Sequence, residues 1–297
     1  IADAPTYRAT FVFTPDGELV YCVGLDRESL KAGTNKWVTH RFNEGNWEQL
    51  DELDFDGDAF SIIAASSGSV VYIQVGYRDK PDRIYRYDLV TDDKKLVFAH
   101  PDVDPAGFDF DGKTGELIAV HFDDPYPNLH LVDEEHLYSR WYPALFQAFG
   151  GNRVRITSAS DDGQLLLVHV SGDREPGQFR LLDTETRDTK YLFNAASWID
   201  SAQLAEMRPI SFESRDGQQI RGYLTQPAGI DGALPLVVMP HGGPYGVRDS
   251  WDYHPRAQFL ASLGYAVLQV NFRGSGGYGW GFTESGYGKW GAEIQHD

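Results

Sequence analysis

The residues best suited to chemistry in this chain are His241, Gly242, Gly243 and Pro244, which follow the apolar run 236–239. A short unbroken apolar run is typical of a parallel strand that is covered on both faces. Two adjacent glycines carry no Cβ, so their N–H groups can approach a ligand closely. Donors of this kind stabilise the oxyanion that develops during acyl transfer. The pattern therefore predicts an oxyanion-binding turn at the end of a buried strand.

The elements that must position this turn follow it along the chain. Residues 255–263 have helical spacing, and the pattern ends at Gly264, a residue type common just after a helix. The apolar positions of this segment are Ala257, Phe259, Leu260 and Leu263. Residues 265–270 form a second apolar run, which predicts a second buried strand. Strand, glycine turn, helix and strand is the order that an α/β-hydrolase sheet needs.

These motifs resemble the prolyl oligopeptidase family of serine peptidases, most closely its acylaminoacyl-peptidase-like branch. The matching segments are HGGP at 241–244, LASLGYAVLQVNFRGSGGYG at 260–279, Lys289-Trp290-Gly291 and Asp297. An HGG turn after a strand also occurs in lipases and esterases, but HGGP followed about thirty residues later by NFRGSGGYG is far more specific. The resemblance implies a β-propeller followed by an α/β-hydrolase domain, and it implies no cofactor.

The nucleophile that this resemblance implies does not lie within the chain. Hydrolases of this fold carry a serine in G-x-S-x-G, followed by Asp and His, and no G-x-S-x-G occurs in the sequence. Because Arg273 stands two residues before Ser275, we interpret Ser275 as part of a loop near the site and not as the nucleophile. His296 and Asp297 are adjacent, and adjacent side chains diverge, so we do not expect a catalytic dyad there. The triad is therefore expected beyond residue 297.

The resemblance assigns roles to eight residues. Gly243 is expected to supply one oxyanion donor through its backbone N–H, with the partner donor coming from the residue after the absent serine. The residues expected to support this turn are His241, Gly242 and Pro244, and His241 is not expected to be the triad base. The expected active-site loop consists of Arg273, Gly274, Ser275 and Gly276. Arg273 is expected to anchor that loop by hydrogen bonds or a carboxylate pair.

An internal repeat organises the first two-thirds of the sequence. Four turn-plus-strand segments align on glycines that are 51, 47 and 48 residues apart, namely Gly17, Gly68, Gly115 and Gly163. Each segment continues into a second strand and a polar hairpin, and Asp88 and Asp183 each lie 20 residues after the aligned glycine. A period near 50 with several strands per unit is typical of β-propeller blades. The abundance of Val, Ile, Tyr and Phe, together with Asp-Gly turns, disfavours helical repeats.

We therefore interpret residues 1–205 as about four propeller blades and residues 206–297 as the start of a peptidase domain. The resembled family has seven or eight blades, so further blades are expected before Ile1. The peptidase domain is expected to open with a hairpin around Asp216 and Gly217. It shows only two parallel-type strands, whereas an open α/β sheet normally uses about five or more. This domain is therefore expected to be incomplete and to need the rest of its own polypeptide.

Composition limits the class of protein and its partners. The net charge of −18 argues against nucleic-acid binding and favours neutral or cationic substrates by steering. No apolar run reaches the ~18 residues of a membrane span, and no signal-type start is present, so the cytoplasm is the default location. The single cysteine, Cys22, lies in a strand pattern and is interpreted as a small core residue, which excludes an intrachain disulfide framework.

No metal site is predicted. Four histidines lie in predicted strands without the spacing of metal ligands, namely His40, His121, His130 and His169. Acidic pairs at 51–52, 92–93 and 161–162 fall in predicted turns and are interpreted as solvated surface charge.

The predicted function is hydrolysis of short or N-acylated peptides through a Ser-Asp-His triad and an acyl-enzyme. The propeller would admit only short or unfolded peptides. Two other classes remain open. A carboxylesterase or lipase shares the HGG turn, and a non-catalytic propeller scaffold is favoured by the missing nucleophile alone. The expected partner is a peptide substrate, and the sequence leaves open whether the protein forms a homo-oligomer.

Overall fold

The computed structural model of the chain describes residues 3–33, 36–50, 55–227, 229–230 and 232–297. The predicted acidic pair at 51–52 lies outside these residues. The chain divides into two compact units. The first extends to Val120 and adds His130–Val132 and Tyr278–Gly281. The second comprises His121–Leu129, Asp133–Gly277 and Phe282–Asp297.

The first unit opens with two four-stranded antiparallel sheets, each with its strands in chain order. The strands of the first sheet are β1 (Tyr7–Phe13), β2 (Leu19–Leu25), β3 (Trp37–Asn43) and β4 (Asn46–Gln49). The short helix α1 (Arg27–Ala32) lies between β2 and β3 and is N-capped by Asp26, whose carboxylate accepts from the Ser29 N–H. The strands of the second sheet are β5 (Ala59–Ala65), β6 (Val70–Gly76), β7 (Arg83–Asp88) and β8 (Asp93–Phe98).

The cores of these two sheets explain why their central strands are so apolar. On β6, Val71, Ile73 and Val75 are fully buried, and Tyr72 between them is 1% exposed, so both faces of this strand are covered. Val71, Ile73 and Val75 pack in one cluster with residues of β2 and β5, including Tyr21 and Ile62. Cys22 on β2 is fully buried, as predicted, and burial raises the pKa of its thiol.

The predicted repeat has a structural counterpart. Each aligned glycine stands two residues before the second strand of a sheet. In the first two repeats, a tyrosine four residues after the glycine reaches the corresponding turn of the next sheet. The Tyr21 hydroxyl donates to the Gly68 carbonyl over 2.9 Å, and the Tyr72 hydroxyl accepts from the Leu117 N–H over 3.0 Å. Two buried tyrosines therefore join the first three repeats through hydrogen bonds to the backbone.

The third repeat departs from the predicted pattern of strand and hairpin. Its sheet has three strands, β9 (Gly107–Phe110), β10 (Leu117–Asp123) and β11 (Pro127–Leu131), in the order β11-β10-β9. The helix α2 (Leu137–Ala148) stands where a polar hairpin was predicted. His136 caps this helix, and its buried side chains Ser139, Tyr142 and Leu145 recur every three residues, which is a helical period. The predicted hairpin at this place was wrong because the segment has a capped, helix-spaced pattern.

The fourth sheet belongs to the second unit and follows its prediction. Its strands are β12 (Arg153–Ala159), β13 (Leu165–Gly172), β14 (Glu175–Asp183) and β15 (Thr189–Asn194), in chain order. Along β13, Leu166, Val168 and Val170 are fully buried and alternate with less buried residues, as the two-residue period of a strand requires. None of the described sheets closes on itself, and the number of propeller blades stays a prediction.

The predicted hairpin and α/β elements form one mixed sheet in the second unit. Its strands are β16 (Glu206–Glu213), β17 (Gln219–Gln226), β18 (Leu236–Val238) and β19 (Ala266–Asn271), in the order β16-β17-β19-β18. The hairpin β16–β17 turns at Asp216 and Gly217, as predicted. β18 and β19 are parallel and are joined through α3 (Pro255–Ser262), and Gly264 follows that helix with φ +92°.

Two features of this sheet bear on the site. β18 is an edge strand in the described residues, so Leu236 and Val238 are 55% and 56% exposed and are not covered as predicted for this run. The chain beyond β19 forms α4 (Trp280–Glu284) and a short 3-10 turn at Glu293–Gln295, and another 3-10 turn lies at Ser201–Gln203. Among the described helices, none is long and apolar enough to cross a membrane.

Candidate active site

The predicted turn begins just past the carboxyl end of β18. The Met239 N–H still donates to the Leu268 carbonyl, so the strand pairing carries the chain up to the turn before it leaves the sheet. Gly242 and Gly243 are exposed, and Gly243 has φ +146°, a conformation that side chains rarely adopt. A Cβ on Gly243 would lie 3.0 Å from the Tyr245 nitrogen. Glycine is therefore required at 243 by both backbone angle and space.

His241 is held on three sides. Its ring stacks on Phe272 with centroids 4.4 Å apart and planes 21° apart. Its Nδ1 lies 2.9 Å from the Gly242 carbonyl oxygen, and its Nε2 lies 2.8 Å from the Ser275 Oγ. The imidazole is thus fixed between the continuation of β19 and the turn, and both of its ring nitrogens have a partner.

The Ser275 Oγ lies 2.8 Å from His241 Nε2, which is the distance expected between a serine nucleophile and its general base. Ser275 is fully buried, however, and both its backbone N–H and its carbonyl are hydrogen-bonded. Its N–H donates to the Phe272 carbonyl over 3.0 Å, and its carbonyl accepts from the Thr283 hydroxyl over 3.1 Å. Because no substrate atom can reach a buried Oγ, this geometry favours a loop residue over a nucleophile.

The glycine-rich loop after β19 is bonded to the turn. The Gly246 N–H donates to the Gly274 carbonyl over 2.9 Å, and the Gly276 N–H donates to the Val247 carbonyl over 3.1 Å. A Cβ on Gly276 would lie 2.6 Å from the Gly246 carbonyl oxygen, so the two backbones approach too closely for a side chain. The loop at 274–276 and the turn are therefore one rigid frame.

Arg273 anchors this frame through two carboxylates. Its side chain is 5% exposed and donates from Nε and Nη2 to Asp297 over 2.6–2.9 Å, while Nη1 and Nη2 each donate to Asp216 over 2.7 Å. The Arg273 N–H also donates to Asp297 over 2.9 Å. The hydrogen bonds from Arg273 hold the pKa of Asp216 well below its usual range, and these carboxylates raise the pKa of Arg273. A forked guanidinium suits two such pairs at once.

A second group of polar contacts joins β19 to Asp249. The Asn271 side chain accepts from the Asp249 N–H over 2.8 Å and donates to the Asp249 carbonyl over 2.9 Å. The Gln269 amide donates to the Asp249 carboxylate over 2.8 Å. Burial raises the pKa of Asp249, and the bond from Gln269 opposes this. The segment that follows the turn is thereby fastened to the sheet.

A cavity of about 520 Å³ opens beside the turn. The turn residues 240–244 form one wall, and the side chains of the other walls are mainly apolar. They include Val238, Leu268, Val270, Phe272, Trp290 and Ile294. Trp290 is 74% exposed at this wall. The cavity is large enough for a peptide-sized group.

The N–H of Gly243 is the chemically available group of this wall. The hydrogen bonds of the described residues leave this N–H without an acceptor. An exposed backbone donor on a rigid turn, beside an apolar cavity, can bind a carbonyl oxygen and bind it more strongly once that oxygen carries negative charge.

The structure brings the eight predicted site residues together. Pro244 joins them through its carbonyl oxygen, which lies 3.5 Å from where a Gly274 Cβ would be. Three residues were missed, namely Phe272 under His241, and Asp216 and Asp297 around Arg273. Asp216 had been interpreted only as a turn residue. Phe272 carries one sequence signal, since it directly precedes Arg273 in the NFRGS motif.

Comparison with known proteins shows which proteins this chain is similar to. Residues 251–297 match the family model of the prolyl oligopeptidase family. The chain is 29% identical over 280 residues to dipeptidyl aminopeptidase BIII of Pseudoxanthomonas mexicana, covering 88% of this chain and 39% of that protein. The segment 251–297 therefore carries the sequence pattern of the prolyl oligopeptidase family.

A second relative and a solved structure are similar to almost the whole chain. Dipeptidyl peptidase family member 6 of Caenorhabditis elegans is 28% identical over 310 residues, covering 95% of this chain and 40% of that protein. The solved acylaminoacyl peptidase of Pyrococcus horikoshii superimposes with a TM-score of 0.63 at 21% identity, covering 98% of this chain and 44% of that one. This structural likeness shows the fold, in which propeller-type sheets precede an α/β-hydrolase sheet. The chain spans about two fifths of the length of the curated relatives it matches.

Proposed function

We propose that the whole protein is a serine-type peptidase in which this chain supplies one oxyanion donor, the backbone N–H of Gly243. The observation that carries the proposal is that this N–H is exposed and has no acceptor among the described residues, on a turn beside an apolar cavity. The match of residues 251–297 to the prolyl oligopeptidase family supports the reaction class. The triad is proposed to come from sequence beyond residue 297.

The proposed reaction is acyl transfer in two steps. A serine attacks the substrate carbonyl, a histidine accepts the serine proton and passes it to the leaving amine, and water then hydrolyses the acyl-enzyme. In both steps the carbonyl oxygen becomes negatively charged, and the Gly243 N–H donates to it. This chain's other residues hold that donor still. His241, Ser275 and Arg273 act through the frame and take no proton from the substrate.

The proposed substrates are short peptides with free or acylated N-termini. Two relatives are named as a dipeptidyl aminopeptidase and a dipeptidyl peptidase family member, and one structural neighbour is named as an acylaminoacyl peptidase. The net charge of −18 favours neutral or cationic peptides by steering. The apolar cavity walls suit uncharged side chains.

The test is made on the whole protein and on the 297-residue chain in parallel. We expect a fluorophosphonate probe to label the whole protein at one serine beyond residue 297, and the 297-residue chain to remain unlabelled. A dipeptide p-nitroanilide and its N-acetylated form are the substrates, and a p-nitrophenyl ester is the comparison.

Three results would contradict the proposal. Labelling at Ser275 would make that residue the nucleophile. Hydrolysis of the ester without either anilide would favour a carboxylesterase. A whole protein that neither labels nor hydrolyses any of the three would favour a non-catalytic scaffold.

A further inference from the structure

Ser275 and His241 share a hydrogen-bond chain whose last member is the peptide group that carries the Gly243 N–H. The chain runs from the Ser275 Oγ to His241 Nε2 over 2.8 Å, and from His241 Nδ1 to the Gly242 carbonyl oxygen over 2.9 Å. The Gly242 carbonyl and the Gly243 N–H belong to one planar peptide group, in which they point in opposite directions. Whatever fixes that carbonyl also fixes the direction of that N–H.

The chemistry of the acceptor sets the tautomer of His241. A carbonyl oxygen can only accept, so Nδ1 must carry the proton and donate to Gly242. In the neutral ring Nε2 is then an acceptor, and the Ser275 hydroxyl must donate to it. Ser275 therefore selects the one neutral tautomer that can hold the Gly242 carbonyl.

The peptide group between Gly242 and Gly243 needs a contact that fixes its orientation, because both of its residues are glycines. Two adjacent glycines give the peptide group between them more freedom to rotate than any other pair. Gly242 and Gly243 are both exposed, and a Cβ on Gly242 would have open space around it. Packing around Gly242 therefore does not restrain this peptide group, whereas His241 is restrained by its stack on Phe272.

We propose that Ser275 is a positioning residue that acts through the His241 tautomer to hold the Gly242–Gly243 peptide group in the orientation that aims the Gly243 N–H at the substrate oxyanion. This inference rests on the proposed function. The burial of Ser275 supports it, since a hydroxyl shielded from water keeps its hydrogen bond to the ring. It also explains why a serine that is fully buried is paired with a histidine of the turn.

The kinetic test uses a double-mutant cycle in the whole protein. Ser275→Ala removes the first donor and is expected to lower kcat about tenfold, the scale of one buried hydrogen bond, with KM unchanged. His241→Phe keeps a ring on Phe272 but removes both hydrogen bonds, and we expect a fall in kcat of about 10²-fold. Because both act on one peptide group, Ser275→Ala is expected to cost nothing further in the His241→Phe background.

The matched control is Ser285→Ala. The Ser285 hydroxyl donates to the Phe282 carbonyl over 2.6 Å in the same region, outside the chain of bonds described above. We expect this variant to retain kcat, and we expect Ser275→Thr, which keeps the hydroxyl, to recover activity relative to Ser275→Ala. A role limited to folding predicts instead that Ser275→Ala and Ser285→Ala fall alike, or that the double-mutant effects add. Either result would overturn the inference.

A spectroscopic arm separates this inference from the proposed function. In the whole protein labelled with ¹⁵N-histidine, the His241 signals are assigned by their loss in His241→Phe. We expect a protonated Nδ1 and an unprotonated Nε2 at neutral pH, and an altered Nε2 shift in Ser275→Ala. A protonated Nε2 would overturn the inference even in an active enzyme. If no substrate is hydrolysed but the Nδ1–H tautomer is found, the proposed function fails. The inference that Ser275 and His241 orient the Gly242–Gly243 peptide group is then still supported.

Discussion

The glycine turns of the repeated sheets and the glycine turn after β18 differ in what the glycine N–H does. Gly17, Gly115 and Gly163 have φ between +69° and +86°, and their N–H groups donate to carbonyls within the turn over 2.8–2.9 Å. Gly243 also has positive φ, yet its N–H is left without an acceptor in the described residues. In the sheets glycine closes a turn on itself, whereas at 243 it leaves a donor for a ligand.

The surroundings of the two kinds of turn differ accordingly. The Gly17 turn has open space where a Cβ would stand. The turn at Gly243 is framed by a stacked histidine, a buried serine and a buried arginine paired with two carboxylates. A turn whose bonds are internal needs little support. A turn that keeps a donor free must be held by other contacts, here those of His241 with Phe272 and Ser275.

The largest expected effect comes from removing the freedom of glycine at 243. Gly243→Ala places a Cβ 3.0 Å from the Tyr245 nitrogen at φ +146°, so the turn must shift and the N–H loses its aim. In the whole protein we expect kcat to fall about 10²- to 10³-fold, as for loss of one oxyanion donor. Gly243→Pro, which removes the N–H, is a poorer test, because proline fixes φ near about −65°.

The control for this prediction is Gly17→Ala in the same assay. It introduces the same methyl at a positive-φ glycine whose N–H is already bonded, and kcat should not change. A similar fall in kcat for both variants would mean that general loss of folding, and not a free donor, explains the result.

The next largest effect tests the frame. Arg273→Ala would leave the Asp297 carboxylate, which is fully buried, without its cation. Breaking a buried pair in this way typically costs about 3–5 kcal/mol, and we expect a loss of that size in chemical denaturation of the whole protein. Asp216→Asn is expected to cost less, because the Asp216 side chain is 52% exposed. Equal losses of stability in Arg273→Ala and Asp216→Asn would show that the exposed Arg273–Asp216 pair accounts for the whole effect of Arg273.

Asp82 and Asp104 form a pair of neighbouring carboxylates in the first unit. Burial, and then the nearby Asp104 carboxylate, raise the pKa of Asp82 to about 6, while a bond from Gln74 opposes this. Folded Asp82 therefore binds a proton that unfolded Asp82 has lost between about pH 4 and pH 6, so its contribution to stability falls as the pH rises through that window. We expect Asp82→Asn to raise stability above pH 6 by at most about 3 kcal/mol and to change it little at pH 4. An advantage of the variant that is the same at pH 4 and pH 8 would contradict the assignment.

The smallest effect concerns the repeated turns themselves. Gly17→Ala should cost about 1 kcal/mol of stability, the strain of an alanine at positive φ. Gly163→Ala should cost more, because its Cβ would lie 3.0 Å from the Leu137 side chain. Thermal unfolding of the two variants checks the order, and a costlier Gly17→Ala would show that space does not decide it.

The same contrast explains what the sequence predicted. Spaced glycines, apolar runs and Asp-Gly turns are local signals, and they located the second strand of each sheet, the β16–β17 hairpin and the parallel pair β18–β19. The helix α2 was missed because its segment was aligned with the repeat, although its buried residues follow a helical period. Local patterns thus predict elements well where the repeat is regular.

The bonds of the site join residues far apart in sequence. Ser275 meets His241 across 34 residues, and Arg273 meets Asp216 across 57. Residue types and motif resemblance indicated which residues belong to the site, but not which atoms meet. The His241 contact to the Gly242 carbonyl depends on a ring position set by Phe272, which only the fold provides.

The most direct measurement is a crystal structure of the whole protein with a phosphonate bound covalently to its catalytic serine. The account predicts a phosphoryl oxygen at about 2.7–3.1 Å from the Gly243 nitrogen, with the Gly242 carbonyl still turned toward His241 Nδ1. A phosphoryl oxygen bound by other donors, with the Gly243 N–H directed at a protein carbonyl, would contradict it.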